Sequence, residues 1–146
     1  MPTAPPAHDT WPGKALGLPR TGPRSIARGG RRLLALLVDW SLASVLSYFF
    51  FPPTPENGVP LWTGVNSFAT LGIFALLQIL FIATAGGSIG HLVFRMRVVP
   101  LQPAWIGILK PLARTALLCL AIPALIWDKD QRGMHDRLVG TVLVRR

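Results

Sequence analysis

Residues 33–51 read LLALLVDWSLASVLSYFFF, nineteen positions with a single charge, Asp39. As a helix this run spans roughly 28 Å, about the thickness of a bilayer core. Pro52, Pro53 and Pro55 end it. A cleaved signal peptide is the competing reading. The long preceding tail, the aspartate inside the apolar run and the lack of an A-x-A site afterwards argue against it. Residues 61–84, LWTGVNSFATLGIFALLQILFIAT, contain no charge at all and are the strongest transmembrane signal in the chain. The connecting PPTPENGVP is short and lacks Lys and Arg, so the two helices are expected to form a hairpin with a non-basic tip.

A third apolar run, 104–127, is interrupted by Lys110, Pro111, Arg114 and Pro123. Its uncharged part after Arg114 gives roughly 20 Å of helix, too short to cross alone. The expected fold class is therefore an all-α membrane protein. It consists of a transmembrane hairpin (about 33–51 and 61–84) and a Pro-broken third segment (about 104–127). Two valine-rich runs outside the membrane, MRVV (96–99) and TVLV (141–144), are expected to pair as a short cytoplasmic β pair, with Asp136 near Arg95 or Arg97. Residues 1–30 hold six prolines and five glycines and are expected to be a disordered basic tail. Residues 31–146 form the membrane domain.

The whole chain agrees with this reading. Of 146 residues, 51% are hydrophobic and 14% charged, against about 25% charged in a soluble domain. The net charge is +9. Six Lys/Arg precede the first helix, none lies in the hairpin tip, and Arg95 and Arg97 follow the second. The positive-inside rule puts the N-terminus and the 85–103 loop in the cytoplasm. Five more Lys/Arg after residue 127 ask for the same side. A third segment that enters and returns satisfies this, with Pro111 and Pro123 as breaks; a full crossing is the alternative. The basic tail suits anionic lipids better than nucleic acid, because it carries no nucleic-acid motif. Arg outnumbers Lys twelve to three, as in proteins of GC-rich bacterial genomes.

Asp39 is the residue most in need of a partner, since a carboxylate within a span costs about 2.5–3.5 kcal/mol. Arg32, Ala35, Asp39, Ala43 and Ser47 share one small, polar helix face of the kind that packs against another helix. Gln78 lies at matching depth on the second helix. Lys110 and Arg114, one turn apart, are further candidate partners, and a purely structural lock competes with an ion or proton site. One cysteine, Cys119, rules out an internal disulfide and a cysteine-based zinc site. No HExxH, phosphate loop or GxSxG is present; GGSIG (86–90) lacks the Lys-Ser/Thr of a phosphate loop, and His135 beside Asp136 is no catalytic geometry by itself. No enzyme activity, cofactor or metal is expected.

Three stretches in order, RRLLALLVD, GGSIGHLVFRMRVV and MHDRLVGTVLV, resemble the RDD family of small bacterial integral membrane proteins. The resemblance covers about residues 28–145. It identifies Arg32, Asp39 and Asp136 as the arginine and two aspartates of the family's name. Gly87, Gly90, Arg95 and Arg97 are the candidate residues of the cytoplasmic loop. His91 stands where the family usually has Lys. The resemblance implies a multi-pass protein of the bacterial plasma membrane, with transport of a ligand or ion suggested for the family. Two spans alone are too thin to enclose a pathway. The expected role is an accessory or scaffolding subunit working with a membrane-protein partner or as a homo-oligomer. The alternative is a transporter or channel component with Asp39 in its path.

Overall fold

The computed structural model describes residues 11–52, 66–102, 107–120 and 132–146. Two helices dominate, α1 (Gly29–Phe50) and α2 (Ser67–Ala85). At 1.5 Å per residue they are about 33 and 28 Å long. They run antiparallel: Ser47 near the end of α1 donates to the Asn66 carbonyl before α2, and Gln78 reaches Asp39 further along. The contact is a row of every fourth residue on each helix. Ala35, Asp39, Ala43 and Ser47 on α1 meet Thr70, Phe74, Gln78 and Ile82 on α2. Trp40 packs on Phe74 with ring centroids 5.3 Å apart. Small side chains on α1 let the backbones approach, as in membrane helix pairs.

The rest of both surfaces is apolar and exposed, with Leu33, Leu37, Tyr48 and Phe49 of α1 and Phe68 and Leu76 of α2 uncovered. Mean hydropathy is 1.8 and 2.2, and only 22% of each helix's most apolar window is buried. A soluble core helix would be enclosed; these two face outward, as lipid-covered helices do. α1 starts four residues before the apolar run, so Gly29 to Arg32 form its first turn. The α2 boundary at Ser67 is set by Asn66, whose side chain accepts the Ala69 N–H at 3.1 Å. The expected start at 61 lies outside the described residues. Gly86, at φ 72°, closes α2 by donating to Ile82.

A cap of short elements follows. Ser88 starts α3 (Ile89–Val93), which leads into β1 (Met96–Pro100). β1 pairs antiparallel with β2 (Thr141–Arg145), Met96 opposite Arg145 and Val98 opposite Leu143. The expected β pair is present. Between them lie α4 (Leu109–Cys119) and α5 (Met134–Val139), the latter closed by Gly140 at φ 70°. Pro111, expected to break the third segment, stands in the first turn of α4, where its missing N–H has no helical acceptor to lose. Pro123 and the course of 121–131 lie outside the described residues.

The stretch expected to be a disordered tail differs from that expectation over its described part: Lys14–Leu16 form a 3-10 turn, Leu16 and Leu18 pack on Ile26, Val142 and Val144, and residues 24–27 follow β2. Ser25, Ile26 and Ala27 are buried along the free edge of β2. Arg24 N–H donates to Arg145 O at 2.8 Å, Arg145 N–H to Ser25 O at 2.9 Å, and Ala27 N–H to Leu143 O at 3.0 Å. The composition of the tail cannot bury itself, but the β2 edge supplies both partners and cover. Residues 1–10 lie outside the described residues. One core cluster, Ala27, Ala35, Ile82, Met96, Val98 and Leu143, ties this sheet to both long helices.

Candidate functional site: two polar networks around one cavity

Asp39 is 5% exposed and its carboxylate accepts three hydrogen bonds. Oδ2 accepts from Gln78 Nε2 at 2.9 Å and from Ser88 Oγ at 2.5 Å; Oδ1 accepts the Gly90 N–H at 2.7 Å. The expected bond to Gln78 is present. The other two donors come from the start of α3, which lies hard against α1. A Cβ on Gly90 would stand 2.1 Å from the Ala35 carbonyl oxygen, so only glycine permits this approach. Gly87 is less tightly placed: its ideal Cβ would stand 3.2 Å from His91 Cβ and 3.4 Å from the Met96 carbonyl oxygen, a crowded contact and not a blocked one. Ser88 and His91 cap α3 reciprocally. Ser88 Oγ accepts the His91 N–H, and the Ser88 N–H donates to His91 Nδ1 at 3.1 Å. An accepting Nδ1 requires a neutral ring. Burial, reinforced by the Arg114 guanidinium, holds the His91 pKa down to about 3.

The second network surrounds Asp136, which is wholly buried on α5. Arg114 Nε of α4 donates to Oδ1 at 2.6 Å, and Arg32 Nη1 of α1 to Oδ2 at 3.3 Å. His135 Nε2 is 3.7 Å from Oδ2. Arg32 also donates through Nε to the Ala27 carbonyl at 2.9 Å. Burial by itself would raise the Asp136 pKa. Arg114, His135 and Arg32 outweigh it and hold the carboxyl well below the usual carboxylate range. Asp136 is an anion clamped between two helices.

Two expected pairings are corrected. Asp39 takes no bond from Lys110 or Arg114; Arg114 points to Asp136 instead, and Lys110 is half-buried on α4. Asp136 does not meet Arg95 or Arg97, which are exposed. Strand alternation explains this: Met96 and Val98 face the core, so Arg97 faces away from Asp136. Arg97 lies instead against Gly86, its Nε 3.0 Å from where a Cβ would stand.

Both networks line one cavity of about 130 Å³. Asp39, Gln78 and His91 of the first and Arg32, Arg114, His135 and Asp136 of the second are among its lining residues, together with Leu33, Leu36, Leu118 and Leu143. Two buried lining residues carry a polar atom with no partner among the described residues: Oε1 of Gln78 and Nη1 of Arg114. No cluster of three metal-ligating side chains occurs among the described residues. Ser88, His91 and His135 were not singled out as site residues from sequence. The Ser-x-x-His spacing resembles a capping box and was the available signal.

Residues 26–140 match the RDD family, most of the 146-residue chain. The chain belongs to the RDD family. Comparison with curated proteins and with solved structures found no match. Family membership and two long apolar helices mark this RDD chain as a membrane protein. Its signature residues divide between the two networks: Arg32 and Asp136 bond to each other, Asp39 belongs to the other network, and all three line the same cavity.

Proposed function

We propose that this RDD protein is a multi-pass protein of the bacterial plasma membrane that holds a small ion or polar ligand in the cavity between its two networks, as a transporter or channel component. The N-terminal stretch and the sheet lie in the cytoplasm on this reading, following the concentration of arginines there. The observation that carries it is the pair of buried, unpartnered polar atoms on Gln78 and Arg114, both residues lining the cavity. Buried polar groups are normally bonded to protein, solvent or ligand, so an acceptor and a cationic donor beside one cavity call for an occupant. Asp39 acts here as a fixed wall: its three donors hold Gln78 and α3 in place.

An accessory or scaffolding role drew its support from the small-residue face of α1. That face is spent within the chain, on α2 and α3, so the ligand reading stands ahead of it. Thermal unfolding of the purified full-length protein with sodium, potassium, chloride or acetate tests the proposal. A ligand bound to the native state raises the midpoint with concentration. At least one of the four is expected to do so in the wild type and not in Gln78→Leu. Thr70→Val, buried on the same helix away from the cavity, should lower the midpoint and keep the ligand response. No response to any of the four, or an equal response in Gln78→Leu, contradicts the proposal.

A further inference from the structure

The two unpaired atoms of the cavity residues differ in what they demand. Arg114 donates through Nε to Asp136 at 2.6 Å, and Nη1 of the same guanidinium has no partner among the described residues. A guanidinium does not give up its proton in a protein, so Nη1 is always a cationic donor and needs an acceptor. Gln78 donates through Nε2 to the Asp39 carboxylate at 2.9 Å. A carboxylate accepts and does not donate, so this bond fixes the amide with Nε2 toward Asp39. Oε1 is then the unpaired atom, and it needs a donor. Gln78 is 2% exposed and Arg114 3%, so bulk water serves neither.

A bare ion does not meet both demands. Sodium would satisfy the Gln78 carbonyl and bring a like charge to a cavity that Arg114 lines. Chloride would satisfy Nη1 and leave the carbonyl unpaired. The occupant that answers both carries an anionic acceptor and a hydrogen-bond donor in one molecule. Size sets the next limit. A cavity of about 150 Å³ takes up benzene, and this one measures about 130 Å³. Leu33, Leu36 and Leu118 give it apolar wall, which suits a ligand with a carbon skeleton better than an inorganic oxyanion. A hydroxyl serves a neutral amide carbonyl without adding a second cation to the site, as an ammonium would. We propose that the cavity takes a small hydroxycarboxylate of about the size of glycolate, its carboxylate on Nη1 of Arg114 and its hydroxyl donating to Oε1 of Gln78. The proposal rests on the ligand reading of the cavity given above and names the class of that ligand.

Thermal unfolding of the purified full-length protein in neutral detergent tests it. Midpoints read against ligand concentration at constant ionic strength yield an apparent Kd for each ligand. Glycolate, propionate, glycine, hydrogen carbonate and phosphate are compared at neutral pH with the chlorides of sodium and potassium. Propionate has the shape of glycolate with a methyl in place of the hydroxyl. It is expected to bind about tenfold more weakly, because it leaves the buried carbonyl unpaired; a merely apolar cavity would prefer it. Gln78→Leu is expected to erase that ratio. Arg114→Lys keeps a cation for Asp136 and has no second nitrogen to offer, so it should weaken glycolate and propionate alike, by about tenfold. Thr70→Val should keep the wild-type ratio. That ratio needs no variant, and it decides the matter by itself if a variant does not unfold cooperatively. Propionate binding as tightly as glycolate overturns the proposal, and so does tighter binding of glycine, hydrogen carbonate or phosphate. A ratio preserved in Gln78→Leu, or unchanged affinities in Arg114→Lys, overturns it as well. A response to sodium or potassium with none to glycolate overturns it and leaves the ligand reading standing. Silence from every salt and ligand overturns both.

Discussion

Asp136 shows how a charge survives with none of its surface in solvent. Two guanidiniums hold it, and the same contacts make it expensive to change. Asp136→Asn leaves Arg32 and Arg114 facing a neutral amide, and is expected to cost about 3–5 kcal/mol in denaturant unfolding. Asp136→Asn/Arg114→Met should recover part of that loss, because it removes one stranded charge. Gly90→Ala forces a methyl into the Ala35 carbonyl. It should destabilise by about 1–3 kcal/mol or more, because the obstacle is backbone and cannot rotate away. His91 gives a signed pH effect. Its pKa falls from 6.5 to about 3 in the fold, so the unfolded chain takes up a proton first as pH drops. The stability due to its neutral form is complete above pH 6.5 and is lost as pH falls toward 3. Between pH 7 and pH 5 the loss is about 2 kcal/mol. Unfolding midpoints across that range measure it, and His91→Gln, which keeps an acceptor at the capping position, should remove this part of the slope.

At the scale of elements, the two long apolar helices, their antiparallel pairing and the β1–β2 ladder were legible in the sequence. Each rests on a local pattern: uninterrupted apolar length, matching depth of Asp39 and Gln78, and runs of β-branched residues. α3 was not legible, because GGSIG carries turn residues and its helix is fixed by the Ser88–His91 cap and by Asp39 some fifty residues away. The packing of residues 24–27 on β2 was hidden for the same reason: a polar, Pro-rich stretch orders when another segment supplies its partners. The partner of Asp136 was misassigned because proximity of loops says nothing about which strand face is inward. Arg95, just beyond α3, sits at φ 53°, a conformation in which a β-carbon is strained. Its side chain is exposed, so Arg95→Gly should raise stability by up to about 1 kcal/mol in the same unfolding assay.

Over the whole molecule, the cap at one end of the α1–α2 pair gathers distant parts of the chain. Arg32 at the start of α1, Arg114 in α4 and Asp136 in α5 meet at one cavity, and the stretch before α1 is stitched to β2. This arrangement requires the segment before the first span and the end of the chain to lie on the same side of the membrane, whatever course residues 121–131 take. Single cysteines at Arg20 and Arg146, each in a Cys119→Ala background, test that requirement with a membrane-impermeant thiol reagent. Both positions are exposed. They are predicted to be protected in intact cells and to react in inside-out vesicles. Reaction of one position in intact cells and of the other only in inverted vesicles would contradict the account.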